Sequence, residues 1–295
     1  MSDILNRREA LAALSLSALP AVAGAADKPE EKPAAPIPAN ALVVVVMDPL
    51  AAPLSCPCVK GYAQRDYDKL GKYLETKLGR AVAVVYAETL AGALTKKTNG
   101  KADLIIGKDS VVRATAPEHK VTVTHLAALA GKDGKTTQTG LICVAAADKA
   151  VTPADLKGYT VYFGTADAEE KNGAAVQVLT DFGIALPAKL ETCVACTDGA
   201  TKVIEEAKGG KKVATVISSY AQPLLEGCGT IKKGDLRVIG ETAPVAFVAA
   251  FATGTLSPGD RDTVKAALLA LGTNKDLCAA LETKGGFVAP PTKKK

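Results

Sequence analysis

Apolar residues in this chain fall into short unbroken runs separated by amphipathic stretches. That alternation is expected of parallel strands covered by helices on both faces. Ala41 to Met47 (ALVVVVM) is a continuous β-branched run, a buried strand, and Asp48-Pro49 ends it. Asp66 to Leu78 places Leu70, Tyr73, Leu74 and Leu78 on one helical face, and Gly79 supplies the stop. The same reading predicts strands over 82–86, 104–106, 121–130, 141–146, 160–163, 236–239 and 245–252. It predicts helices over 90–98, 152–156, 174–182, 257–271 and 275–282. Thr152 caps the second of these, with Pro153 at its first position.

Two stretches read as copies of one unit. Val82 to Ser110 and Lys189 to Ser219 each have a short β-rich run, a Thr at the turn (Thr89, Thr197) and an Ala-rich amphipathic stretch. A Gly-Lys break, a second apolar run and a small polar end follow (Asp109-Ser110, Ser218-Ser219). Strand, helix, strand at this spacing is a βαβ unit with a right-handed crossover, whose ligands bind at the carboxyl ends of the strands. Two such units imply two α/β lobes with a cleft between them. Gly131 to Thr139 and Glu241 to Pro244 are polar breaks between apolar runs and are the candidate crossings. They divide the chain into lobe I, 42–135 plus 243–295, and lobe II, 136–242.

The length of 295 residues accommodates two such lobes, and 48% apolar content supplies a core. Aromatics at 4%, with no Trp, argue against a sugar or nucleobase stacking platform. The net charge of +5 is partly the tail Lys293-Lys294-Lys295, and acids and bases alternate elsewhere, so no nucleic-acid stripe stands out. Arg7-Arg8, the apolar run Ala10 to Ala25 and the small residues Ala23-Gly24-Ala25 have the layout of a signal peptide over 1–26, and the Arg pair points to the twin-arginine route. Residues 27–41, with four prolines, read as a linker. The expected location is the periplasm or another exported compartment, and the expected state a monomer.

Five segments, taken in order, resemble a known family. Tyr67 to Val82 (YDKLGKYLETKLGRAV), Gly100 to Gly107 (GKADLIIG), Gly140 to Val144, Pro153 to Phe163 (PADLKGYTVYF) and Leu256 to Leu271 are similar to phrases of the PhnD-like phosphate, phosphite and phosphonate-binding components of ABC transporters. These belong to the type 2 periplasmic-binding, transferrin-like superfamily. The resemblance spans about residues 42 to 272 and implies two lobes closing over a ligand, no enzymatic activity, and an ABC permease or a sensor as partner. One loop departs from the family. Where relatives carry a Ser-Thr-Ser-Gly-like turn, this chain has Thr165-Ala166-Asp167-Ala168-Glu169-Glu170-Lys171-Asn172-Gly173, in which Asn172-Gly173 keeps a turn-like end. The acidic run repels a dianion unless it points outward.

Helix N-termini facing the cleft favour a small oxyanion of the phosphate or phosphonate type. The candidate ligand residues are Tyr62, Thr89, Lys108, Asp109, Ser110, Asn172, Gly173, Thr197, Ser218, Ser219 and Tyr220, with Lys60, Arg65 and Lys171 as further charges. The Thr and Ser residues also fit as helix caps, the tyrosines as core packing and the cations as solvated surface. Seven cysteines include Cys56-Pro57-Cys58 and Cys193-Val194-Ala195-Cys196. They allow local disulfides, inert thiols, or a thiolate site for Cu or Zn made by Cys56, Cys58, Cys193 and Cys196. A helix N-terminus at Cys193 and Cys196 is expected to lower their pKa values. A metal-binding protein on the same scaffold is therefore the alternative to the oxyanion binder, and a thiol-disulfide enzyme using Cys193 and Cys196 a third reading. No resident cofactor is otherwise indicated.

Overall fold

The computed structural model describes residues 36–55 and 64–290. The predicted signal peptide, most of the linker, and Cys56, Cys58, Lys60 and Tyr62 lie outside the described residues. Strand β1 (Leu42–Met47) is buried along its whole length. Its side chains alternate between two cores, so both faces must be apolar. Leu42, Val44 and Val46 pack with Tyr67, Leu70 and Leu74. Val43, Val45 and Met47 pack with Leu90, Leu94 and Val112. Full burial of each Val or Leu contributes about 1.5–3 kcal/mol.

Helix α1 (Tyr67–Leu78) starts because the Asp66 carboxylate accepts from the Asp68 and Lys69 amides, and stops because Gly79 takes φ 64°. Strand β2 (Val82–Tyr86), helix α2 (Leu90–Gly92, continuing as a π-helix over Ala93–Lys97), strand β3 (Leu104–Lys108), helix α3 (Asp109–Glu118) and strand β4 (Val123–Leu129) complete the first run. A short strand β5 (Thr137–Gln138) leads to β6 (Gly140–Ala145), then β7 (Thr160–Phe163), helix α4 (Gly173–Asp181), β8 (Glu191–Thr192), helix α5 (Cys196–Lys208), β9 (Val213–Ser218), helix α6 (Ala221–Gly227) and β10 (Leu236–Glu241). The chain returns through β11 (Val245–Ala246) to β12 (Val248–Thr253), helices α7 (Pro258–Ala270) and α8 (Lys275–Ala280), and β13 (Phe287–Val288).

The strands form two mixed sheets, ordered β13-β4-β12-β3-β1-β2 in lobe I and β10-β6-β9-β7-β8 in lobe II. Aligned from the right, five strands correspond one to one. The run β1-α1-β2-α2-β3-α3-β4 repeats as β7-α4-β8-α5-β9-α6-β10, so the duplication is longer than the two units visible in the sequence. Each sheet has a parallel trio flanked by one antiparallel strand, β12 in lobe I and β6 in lobe II. In each case that strand is the one the chain enters on arriving from the other lobe. The two crossings pair with each other, Thr137 opposite Ala246 and Gln138 opposite Val245.

Several elements differ from the sequence reading. The strand predicted over 245–252 is two strands in different sheets, because the crossing consumes Val245–Ala246. Lys108–Ser110 is not a loop: β3 runs two residues further and α3 begins at Asp109 without a side-chain cap, so nothing in the local sequence marked its start. Helix α6 and strand β13 were also unforeseen. The 90–98 helix is π-form beyond Gly92. Among the described residues, no helix is long and apolar enough to cross a membrane.

His125, on β4, stacks on Phe251 at 5.0 Å, and its Nδ1 lies 3.1 Å from an Arg113 nitrogen. Burial lowers its pKa below 6.5, and the Arg113 charge adds to this against the opposing pull of Asp109. The unfolded chain therefore binds the proton first as pH falls, and stability drops below about pH 6.5. Melting temperature is expected to fall between pH 7.0 and 5.5, and His125→Gln to flatten that dependence. An equal slope in the variant would refute the assignment.

Candidate functional site

The carboxyl ends of β1, β3, β7 and β9 carry or lead into the buried polar residues Asp48, Lys108, Glu170 and Ser218. Asp48 follows β1 and is fully buried. Its Oδ2 accepts from Arg65 Nη1 at 2.8 Å and from the Tyr67 hydroxyl at 2.5 Å, and its Oδ1 accepts from the Leu50 amide at 2.9 Å. Burial works against the Arg65 charge, but the Asp48 carboxylate outweighs it and holds the guanidinium above its usual pKa. The Arg65 guanidinium also lies 5.6 Å from the Phe247 ring centre, and Phe247 stacks on Tyr220 of lobe II at 5.1 Å. Arg65 is thus a buried structural cation.

Lys108 ends β3 and Ser218 ends β9, at corresponding positions of the two sheets. Both donate to the same oxygen, Oε1 of Glu170, at 2.5 and 2.6 Å. Glu170 lies in a 3-10 turn (Glu169–Lys171) after β7 and is fully buried. Its Oε2 has no partner among the described residues. The Lys108–Glu170 ion pair joins the lobes, as does the Ser110 hydroxyl, which donates to the Asp167 carbonyl at 2.7 Å. Close backbone approach sets the turn's position: a Cβ at Gly140 would run into the Glu170 carbonyl. The acidic loop therefore does not point wholly outward. Glu169 is exposed, while Glu170 turns in onto the lysine.

The other predicted residues divide. Ser219 is bound to the crossing: its amide donates to the Thr139 carbonyl at 2.8 Å and its hydroxyl accepts from the Thr139 amide at 3.2 Å. Tyr220 lies beside it, and burial, with Cys196 and Glu170 nearby, keeps its phenol protonated well above pH 10. Asp109 turns away to Arg113, 2.6 Å from Nε. Asn172 donates to the Gly164 carbonyl at 2.8 Å, and Gly173 is exposed at the start of α4. Lys171 is buried and donates to the Val194 carbonyl at 3.2 Å. Thr89 caps α2, accepting from the Gly92 amide at 3.1 Å, and Thr197 sits exposed inside the first turn of α5. Lys108, Ser110, Ser218, Ser219 and Tyr220 therefore gather at the junction of the lobes, Thr89 caps its own helix, and Thr197 lies exposed on α5. Sequence reasoning missed Glu170 and Asp48. Glu170 follows an exposed Glu169 in an acidic run, so no local signal marked it, and its partner is 62 positions away in the chain.

Cys193 and Cys196 are both free thiols. Burial raises the Cys193 pKa, with the Lys202 charge opposing, so the expected lowering at a helix N-terminus is overturned there: Cys193 precedes α5 and is not part of it. The Cys196 sulfur accepts from the Ser218 amide at 3.4 Å. Among the described residues no group of three His, Cys, Asp or Glu could hold a metal ion.

The model of the family described as "ABC transporter, phosphonate, periplasmic substrate-binding protein" matches residues 61–293. The chain belongs to that family. Solved structures agree on the fold of this phosphonate-family protein. A binding-protein component of an ABC phosphonate transporter from Pseudomonas aeruginosa is 13% identical with a TM-score of 0.63, covering 85% of this chain and 81% of that one. PhnD1 from Prochlorococcus marinus, in complex with methylphosphonate, is 13% identical with a TM-score of 0.62, covering 86% and 93%. A Xanthomonas citri protein bound to ATP is 14% identical with a TM-score of 0.62, covering 85% and 92%. No curated sequence matches the chain.

Two substitutions test how this candidate site is held. Asp48→Ala leaves the Arg65 charge buried without its carboxylate and is expected to cost about 3–5 kcal/mol in denaturant unfolding. Gly140→Ala pushes on the Glu170 backbone and is expected to cost about 1–3 kcal/mol. A change within 0.5 kcal/mol in either would contradict the geometry described.

Proposed function

We propose that this protein is the exported ligand-capturing component of an ABC importer, closing on a small oxyanion of the phosphate or phosphonate class between its lobes and delivering it to a permease. The observation that carries this is the meeting of Lys108 and Ser218, the equivalent strand ends of two duplicated lobes, on a single acidic oxygen. That position accepts a negatively charged oxygen and is served from both sides. Ser219 and Tyr220 supply further donors beside it, and Ser110 joins them when its hydroxyl leaves the Asp167 carbonyl. The lobes are 42–135 plus 243–295 and 136–242, turning about the paired crossings. The Prochlorococcus marinus complex with methylphosphonate supports this ligand class. The leader over 1–26 supports export, the intermixed acids and bases support a small ligand over nucleic acid as partner, and the protein acts as a monomer without catalysis.

Calorimetry and thermal melting with phosphate, phosphite and methylphosphonate test the reading, with ATP as comparator. One equivalent of a small anion is expected to bind. At a hundredfold over its dissociation constant it adds about 2.7 kcal/mol of stability. No heat and no shift with all three small anions would end the proposal.

A further inference from the structure

We infer that Glu170 is an internal stand-in for the ligand's acid group: its carboxylate latches the two lobes together through Lys108, and an incoming oxyanion must displace it. The inference rests on the oxyanion reading for the identity of the ligand, but the latch itself stands on geometry alone. Glu170 is fully buried and its Oε1 accepts from Lys108 Nζ at 2.5 Å and from the Ser218 hydroxyl at 2.6 Å. Lys108 comes from one lobe, Glu170 and Ser218 from the other. A charge-assisted pair of this kind is strong where water is excluded. It acts together with other contacts across the junction, among them the Leu50 side chain packed on Tyr220 and Leu224. Two further ones are the Ser110 hydroxyl on the Asp167 carbonyl at 2.7 Å and the Tyr220–Phe247 stack at 5.1 Å.

The bonding of Glu170 is also incomplete in a telling way. Its Oε2 is buried without a partner among the described residues, and so are both amide atoms of Gln138 on the crossing strand β5. Buried polar atoms left unpaired destabilise the state that contains them. By contrast, Asp48 at the end of β1 has both oxygens bonded. The Glu170 contact is therefore a replaceable one, whereas Asp48 is a fixed part of its lobe. A tetrahedral oxyanion brings more acceptor oxygens to the same donors than one carboxylate oxygen does. Displacement frees Glu170 to leave the junction.

The latch makes a quantitative statement about affinity. If the latched form is about 90% of the ligand-free protein, the apparent dissociation constant is raised about tenfold over its intrinsic value. Glu170→Gln keeps the side-chain volume and removes the competing charge. Lys108→Met removes the cation that both the latch and the ligand need.

Small-angle scattering of the ligand-free proteins, and calorimetry with inorganic phosphate and methylphosphonate, test the inference. Both variants are expected to have a larger radius of gyration than the wild type. Glu170→Gln is expected to bind the anion about tenfold more tightly, and Lys108→Met at least tenfold more weakly. Variants as compact as the wild type, or a Glu170→Gln affinity equal to or below the wild-type value, would overturn the latch. If Glu170→Gln does not melt cooperatively, the scattering of Lys108→Met decides alone. Expansion of both variants with no binding of either anion by any of the three proteins would support the latch and defeat the oxyanion reading.

Discussion

A carboxylate removed from water must find positive charge or donors, and Glu170 finds its cation in the other lobe. The desolvation of that group is costly enough that the Lys108 contact fixes much around it. The turn Glu169–Lys171 must sit against β6, which requires no side chain at position 140. The end of β3 must reach the end of β9, which brings Ser110 onto the Asp167 carbonyl and Tyr220 onto Phe247. The site is thus organised less by a loop of special sequence than by where one charge has to go.

The topology explains why two strand ends are available to it. Each sheet takes its antiparallel strand from the chain as it arrives from the other lobe. Val248 therefore pairs with Lys108, the last residue of β3, and Gly140 pairs with Ser218, the last residue of β9. The crossings necessarily lie at the carboxyl ends of the parallel trios, where helix N-termini also point. The ladder between the two crossings, the proposed hinge, has two residue pairs. Such a short ladder leaves relative rotation of the lobes to be resisted mainly by contacts between them, among which the ion pair is the strongest in kind.

Much of this was legible in the sequence. A strand with both faces covered has no polar position to spare, so ALVVVVM identified β1 and its depth together. Asp66 and Gly79 marked α1 at both ends because capping is local chemistry. The repeated β-turn-helix pattern pointed to two lobes; of the two polar breaks, 131–139 contains β5, while 241–244 stops one residue short of β11. What escaped was non-local or lacked a cap. Helix α3 begins directly from a strand with no side-chain cap, and α6 is seven residues long with a proline inside it. Glu170 stood in a run of acids that looks solvated in sequence, and its burial depends on a lysine contributed by the other sheet. The cysteine pair misled in the opposite direction: close spacing suggested shared chemistry, yet Cys193 precedes the helix and Cys196 opens it, which separates their surroundings.

The choice of a lysine and a hydroxyl at the meeting point bears on how an internal carboxylate and an oxyanion can share it. A guanidinium presents a planar fork that matches one acceptor geometry, and a buried Arg such as Arg65 is committed to its partner. An ammonium is a compact charge with three rotatable donors, and a serine hydroxyl turns to suit its acceptor. Neither distinguishes a carboxylate oxygen from a phosphonate oxygen by shape. On the proposed reading, exchange between the two is governed by how many acceptor oxygens each brings and by the energy needed to release Glu170 from its buried turn. On that same reading, selectivity among oxyanions comes from the donors flanking this point, Ser110 on α3 and the adjacent Ser219 and Tyr220 between β9 and α6, and the distance from Ser110 to that pair is set by how far the lobes close.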